Sequence, residues 1–452
     1  MTPLEREVLE EVTPSAEEQA ALDAVVAELV RLCDDRLKAA RLPGRAEVQG
    51  SVAKGTWLRG GADIDLFLLL DPSVPQDRLE AVALEVGPTV LEDCQKKYAQ
   101  HPYLTGRFKG HDVDLVPAFA VAEAGAKMSA VDRTPFHTAW VKEHLGQHKR
   151  AQARLLKRWL KGVGAYGAQT AIGGFSGYLV EVLIARFLSF DGVLGWLAGG
   201  AQPRRIALGP DQVNDDVAPL VVVDPVDPAR NCSAAVSLAT LDLATAAANA
   251  YRKAPGRRFF FPNPPRAELP ATLREALSAQ DASWTGALVR PKSHRLDIVF
   301  PQFQRAARTL EAGLTGAGFV VRRLDVAVSD DEKEVLLQFV CDGAPLPARR
   351  MHPGPIDDGR PNAKRFREKW DGHADALGPV QAGKDGKLQV ELAVRLRTPA
   401  AWLAARLPQE PLGKHVQEAL EGHEVYADPA KVPVGWGPRL ADVVLDRKPW
   451  ER

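Results

Sequence analysis

The residues best placed to do chemistry are Asp63-Ile64-Asp65. Residues two apart on a strand share a face, so Asp63 and Asp65 would project together while Ile64 and Leu66 turn to a core. Adjacent carboxylates repel one another and make poor core residues, so such a pair coordinates a cation or faces water. An isolated D-x-D is most often a solvated strand end. Here Gly50-Ser51 stands upstream and an apolar run follows at once, which favours a site. A third carboxylate on a neighbouring strand would complete a hard oxygen set suited to Mg²⁺. Asp112 and Asp114 both qualify, and spacing alone does not choose between them. Three carboxylates beside a Gly-Ser turn suit nucleotidyl transfer: one metal lowers the pKa of an attacking 3′-hydroxyl and a second neutralises a triphosphate. Glycine there lets backbone N–H groups approach the β- and γ-phosphates.

The elements that must carry these residues can be read from pattern. Ser15 and Glu18 have capping-box spacing, and Leu22, Val25, Val26, Leu29, Leu32, Cys33 and Leu37 follow at helical intervals until Pro43-Gly44. A short strand near Val48, a Gly-Ser turn and a strong strand from Ile64 to Leu70 come next. A helix is predicted over roughly Gln76 to Lys97, then a strand from Val113 to Val116. From about Pro135 to Arg186 the pattern is helical, and another helix is predicted from Leu238 to Tyr251. Recurring prolines mark Pro255 to Pro270 as a linker. Beyond it, strand-like pieces (Gly286 to Arg290, Val335 to Val340, Leu388 to Val394) alternate with helical ones (Phe303 to Leu314, Asn362 to Trp370). The Gly162–Gly167 run matches G-x-G-x-x-G, but a helix precedes it where a dinucleotide site needs a strand. It reads as a helix end and turn, and GGFSGYL as the next helix start.

At 452 residues, 45% hydrophobic and 26% charged, the chain should divide into about three domains. No apolar run reaches membrane-span length, and the first residues lack an export pattern, so no membrane partner and a cytoplasmic location are expected. Cys33, Cys94, Cys232 and Cys341 stand apart and read as buried thiols, neither a zinc site nor a disulfide framework. The 58 basic and 58 acidic residues cancel, which disfavours a large nonspecific nucleic-acid binder but permits a local basic groove.

GSVAKGTWLRGGADIDLFLLL, KGHDVDLVPAF, SAVDRTPFHTAWV, LLKRWLKGVGAYGAQTAIGGFSGYLVEVLI and DPVDPARN together resemble the archaeal-type (class I) CCA-adding tRNA nucleotidyltransferases. The likeness runs nearly unbroken from Val48 to Asn231. It implies an α+β chain with a polymerase-β-like nucleotidyltransferase head (1–135), a helical neck (136–260) and an α/β C-terminal body and tail (261–452) that holds tRNA. It also implies untemplated addition of C, C and A from CTP and ATP with Mg²⁺. Asp63, Asp65 and Asp114 match the metal-binding carboxylates, the VDLVP match deciding for Asp114 over Asp112. Gly50 and Ser51 match the phosphate-contacting turn. His137, Lys157 and Tyr166 fall where nucleotide contacts are made, and Arg230 lies in a segment that helps recognise the incoming base. Lys54 departs from the family's usual arginine, keeping a point charge but losing the bidentate fork.

Several of these residues have bland alternatives. A lone histidine is more often a surface or satisfied core residue, and Lys157 and Lys161 lie on what is ordinarily a solvated basic face. If Leu155, Leu156, Trp159 and Leu160 face a core, however, Lys157 sits at its boundary and can reach a triphosphate. Tyr166 suits packing or a phosphate contact. Further on, Arg349 to Lys369 is strongly basic and interleaved with Phe366 and Trp370, so Lys364 and Arg365 are expected to touch RNA. Arg290 to Arg295 is a weaker candidate. A poly(A)-type or other RNA 3′-terminal transferase could use the same head, and the long basic C-terminal region argues against a small-molecule nucleotidyltransferase. The sequence leaves a homodimer open.

Overall fold

The computed structural model describes residues 1–98, 102–126, 128–169, 172–202, 204–209, 216–292 and 296–452. The chain forms two compact units, Met1–Asn263 with Pro449–Glu451, and Pro264–Lys448 with Arg452.

The first unit opens with α1 (Pro3–Val12) and α2 (Ala16–Ala39), each started by a capping box, Thr2 with Glu5 and Ser15 with Glu18. A five-stranded sheet follows, with spatial order β1-β2-β5-β4-β3: β1 (Gly44–Val48), β2 (Ile64–Leu70), β3 (Glu92–Tyr98), β4 (Pro102–Phe108) and β5 (His111–Phe119). The short α3 (Gly50–Lys54) lies between β1 and β2, and α4 (Arg78–Val86) between β2 and β3. Alternation on β2 sends Ile64, Leu66, Leu68 and Leu70 against α2 and α4. Its other face is apolar only further along, where Phe67 and Leu69 meet Ala118. Asp65 takes the first place on that second face, directly against Gly50.

The helix expected over Gln76 to Lys97 is a correction. It stops at Val86, where Gly87-Pro88 cannot continue it, and the second half is strand β3 paired to β4. Neither β3 nor β4 was expected.

The second core of this unit is helical: α5 (Thr134–His144), α6 (Gln147–Gly162), α7 (Gly177–Phe187), α8 (Phe190–Ala198) and α9 (Leu238–Lys253), with a short parallel pair β6 (Arg205–Ile206) and β7 (Val221–Val222). Leu155, Leu156, Trp159 and Leu160 of α6 are buried as expected. Gly162–Gly167 does end α6, and Ser176 caps α7. Val8 and Val12 of α1 join this core although they precede the sheet. The linker expected from Pro255 begins later, because Phe259 and Phe260 are fully buried against Tyr251 and Phe190.

In the second unit a four-stranded antiparallel sheet, ordered β14-β8-β10-β9, is built from β8 (Ala282–Val289), β9 (Val321–Val328), β10 (Val335–Asp342) and β14 (Glu424–Tyr426). One face packs on α11 (Leu296–Ala317), α13 (Pro399–Arg406) and α14 (Lys414–Ala419). The other carries α10 (Pro270–Ala279) and α15 (Gly437–Val444). A separate sheet, β11 (Arg349–Ile356), β13 (Lys387–Ala393) and β12 (Gln381–Ala382) in that order, packs against α12 (Pro361–Trp370). Among the described residues no helix is long and apolar enough to cross a membrane. The four cysteines are free; Cys33, Cys232 and Cys341 are buried and Cys94 is half-buried.

Candidate active site

β2 and β5 run parallel, and their register sets Asp65 opposite Asp114. Asp63 precedes β2 by one residue and is exposed, whereas Asp65 and Asp114 are half-buried. Asp112 is also exposed and pairs with Arg107 at 3.5 Å, so register favours Asp114 as the third carboxylate. Burial, then the charges of Asp65 and Asp63, push the Asp114 carboxyl up to about 6. Burial likewise raises Asp65, with Lys54 pulling the other way. Carboxylates held near one another raise each other's pKa, an effect that nearby cationic groups oppose. Among the described residues no group of three acidic, histidine or cysteine side chains is arranged to hold a metal ion, so Asp63, Asp65 and Asp114 lie near one another without converging on one point.

Gly50 borders the cluster. Its φ is +64°, and a Cβ built there would lie 1.7 Å from Asp65 Oδ2. Any other residue would displace the carboxylate, so the glycine is required for close approach. Ser51 follows, half-buried, with its hydroxyl unpartnered among the described residues.

Lys54 and Lys157 converge on Glu181 of α7. Lys54 Nζ donates to Glu181 Oε2 at 2.8 Å, and Lys157 Nζ to Glu181 Oε1 at 3.1 Å. Lys157 also donates to Thr56 Oγ1 at 2.9 Å and to the Thr56 carbonyl at 3.2 Å, which occupies its third N–H. Lys54 keeps N–H groups to spare and lies 5.3 Å from the Tyr178 ring centre. Both lysines are buried, deeper than the boundary position expected for Lys157. Tyr166 bridges to Phe175 beside them, half-buried, and burial pushes its hydroxyl up.

A second knot centres on Asp224. Its Oδ2 meets His137 Nε2 at 2.8 Å and Arg230 at 2.9 Å, while Oδ1 accepts from the Tyr178 hydroxyl at 3.0 Å. His137 and Tyr178 stack with ring centres 4.0 Å apart. Burial pushes the Asp224 carboxyl up, but the His137 bond and charge and the donors Val226 N and Arg230 outweigh it and hold it well below the usual range. Burial lowers His137. The two ends of this knot are fixed from the backbone. Asp132 accepts from Phe119 N at 2.8 Å and Ser129 N at 2.5 Å, setting the entry to α5, and the Asn231 side chain accepts from Val222 N at 3.0 Å, pinning the 224–230 turn.

Three family models match the chain in sequence order: a nucleotidyltransferase domain over residues 28–137, a tRNA nucleotidyltransferase second domain over 151–261, and a CCA-adding enzyme C-terminal domain over 290–428. The chain is 35% identical to a CCA-adding enzyme of Halobacterium salinarum over 94% of both proteins. It is 34% identical to one of Haloarcula marismortui over 97% of both, and 34% identical to one of Sulfurisphaera tokodaii over 85% of this chain and 87% of that protein. The chain belongs to the CCA-adding enzyme family.

Within that family's catalytic region, Glu181, Asp224, Tyr178, Thr56 and Asp132 went unnoticed in the sequence. Glu181 carried the clearest signal, a lone acid inside the apolar run YLVEVLI, since a charge in such a run must be paired. Asp224 opens the DPVDPARN segment but looks like one turn residue among several.

In the C-terminal unit Lys364 and Arg365 are exposed, and neither has a side-chain partner among the described residues. Phe366 and Trp370 are half-buried against His352, with ring centres 5.7 and 4.9 Å away, and pack on the sheet face. Arg290 pairs with Glu334 and Glu424, and Lys292 with Glu421, which leaves little charge for RNA in that segment. Ser293, His294 and Arg295 lie outside the described residues.

Proposed function

We propose that this protein adds C, C and A to the 3′ end of tRNA from CTP and ATP, without a template and with release of pyrophosphate. The carrying observation is the Asp65–Asp114 register with Asp63 alongside, next to Gly50-Ser51, in a member of the CCA-adding family. Asp63, Asp65 and Asp114 would hold Mg²⁺. When bound, the ion lowers the pKa of the attacking hydroxyl and offsets triphosphate charge.

The chain's own groups do the rest. Gly50 leaves room for phosphates to reach backbone N–H groups, and the Ser51 hydroxyl can donate to one of them. Lys54 has spare donors for the triphosphate, whereas Lys157 acts through its charge unless the Thr56 hydrogen bonds open. Tyr166, half-buried near the two lysines, can turn its hydroxyl to the same phosphates. His137 and Arg230, held by Asp224, present donors to the incoming nucleotide. We assign the head to residues 1–135, the neck to 136–260 and the body and tail to 261–452, with Lys364 and Arg365 gripping RNA phosphates. Family membership and the absence of a membrane-spanning helix among the described residues support a cytoplasmic enzyme.

The test is incubation of purified protein with Mg²⁺, tRNA lacking its 3′ end, and labelled CTP or ATP in separate tubes. Incorporation of C onto tRNA lacking all three residues, and of A only onto tRNA ending in CC, is the expected result. Incorporation of neither would reject the reading.

A further inference from the structure

We propose that Glu181 is a positioning residue of the nucleotide site: its carboxylate aims Lys54 and Lys157 beside the aspartates, and its charge offsets theirs. The proposal rests on the nucleotidyl-transfer reading above.

The geometry begins with a three-way junction. Glu181 side-chain exposure is 1%, yet both oxygens are used: Oε2 by Lys54, and Oε1 by Lys157 and, at 2.5 Å, by the Thr56 hydroxyl. Lys54 comes from α3, Thr56 from the loop that leads toward Asp63, Lys157 from α6 and Glu181 from α7. One carboxylate therefore ties the turn that borders Asp65 to two helices of the second core.

Charge counting then separates this from an ordinary strut. Two ammonium groups share one carboxylate, and the Arg154 guanidinium nearby is committed to the carbonyls of Trp57 and Gly55. The cluster is positive by at least one charge, and what faces it on the strand side is Asp65 and Asp63, with Tyr166 and Tyr178 as the neighbouring hydroxyls. Remove the Glu181 charge and the two buried ammoniums lose the carboxylate they share, with Asp65 on the strand side left as the nearest counter-charge. Burial beside a like charge, without a counter-charge, lowers the pKa of a lysine. Burial already lowers Lys157, with Lys54 and Arg154 adding to the effect and Glu181 as the counterweight. Glu181 itself is pushed up by burial but held low, to about 2, chiefly by the two lysine charges. One carboxylate shared by two ammoniums is strongly stabilised, whereas each ammonium receives only part of it.

The experiment is equilibrium binding of CTP to the full chain with Mg²⁺, between about pH 7.5 and about pH 9.5, where ordinary carboxylates and histidine no longer titrate. Wild type should bind with a Kd that stays flat. Glu181→Gln should bind progressively more weakly as pH rises, by about ten-fold or more, the effect of removing one charge-assisted hydrogen bond. Glu181→Gln with Lys54→Arg and Lys157→Arg should be flat again, because guanidinium does not deprotonate in this range. Glu181→Asp keeps the charge but withdraws it by one methylene. It should give a flat but weaker Kd, and it tests aiming even if Glu181→Gln fails to fold. A Glu181→Gln Kd as flat as wild type, or a Glu181→Asp Kd equal to wild type throughout, would overturn the proposal. A wild-type chain that binds neither CTP nor ATP would instead overturn the reading it rests on.

Discussion

Asp65 on β2 and Asp114 on β5 stand opposite each other on adjacent parallel strands, and neither carboxylate has a hydrogen-bond donor among the described residues. Two half-buried anions at one level of a sheet are a cost to the fold. The first prediction follows from the sign of that cost. The folded-state pKa of Asp114 is raised to about 6, so its ionised form opposes folding above that pH and the penalty fades as pH falls toward the unfolded value. In metal-free buffer Asp114→Asn should therefore melt higher than wild type near neutral pH, with the gap shrinking on acidification to about pH 5. The same variant should lose nucleotide addition. Calorimetry at two pH values checks it, and equal melting temperatures at both would remove the repulsion from the account.

Gly50→Ala should be disproportionately harmful for one methyl group. The left-handed φ costs on the order of 1 kcal/mol in any L-residue other than glycine, and the new Cβ would overlap Asp65 Oδ2. The expected outcome is a modest drop in melting temperature with activity falling by about a hundred-fold or more, since misplacing a reacting group by ~1 Å has that effect. Activity within a factor of a few of wild type would show that Asp65 can stand elsewhere.

Removing the Asp224 carboxylate leaves His137, Arg230 and Tyr178 without their shared partner. Asp224→Ala should destabilise the protein by about 3 kcal/mol, the order found when one side of a buried pair is deleted. Asp224→Asn retains the volume and should fold better while raising KM for CTP and ATP. Unchanged KM in the Asn variant would make this knot purely structural.

The local features of this chain were legible, and its long-range features were not. Capping box, apolar period and alternation placed α2 and β2 because each is a property of neighbouring residues. The D-x-D pair with its upstream glycine could be read the same way, whereas Asp114 was preferred to Asp112 by its likeness to the VDLVP motif; in the sheet Asp114 stands opposite Asp65. Glu181 meets Lys54 across 127 positions and Asp224 meets His137 across 87, separations at which no periodicity speaks. β3 failed for a related reason: EDCQKKY has no alternation of its own and is a strand because β4 pairs with it. Phe259 and Phe260 sat in a proline-rich stretch, yet their burial depends on partners contributed by α8 and α9.

Lys364 and Arg365 of α12, exposed and without a side-chain partner among the described residues, lead to a prediction about RNA grip. Reversing Lys364 and Arg365 to glutamate should weaken tRNA binding and flatten its salt dependence, by roughly one unit of log–log slope for each phosphate no longer neutralised. CTP affinity should be untouched. tRNA titrations at several salt concentrations decide it, and an unchanged slope would leave α12 an ordinary solvated face.

The most direct test of the central claim is the sequence of the product. tRNA lacking all three terminal residues, incubated with the protein, Mg²⁺ and both CTP and ATP, should gain C, C and A in that order and then stop. A run of A or of any single nucleotide, or addition that continues past the third residue, would contradict it and point to a homopolymer-forming terminal transferase.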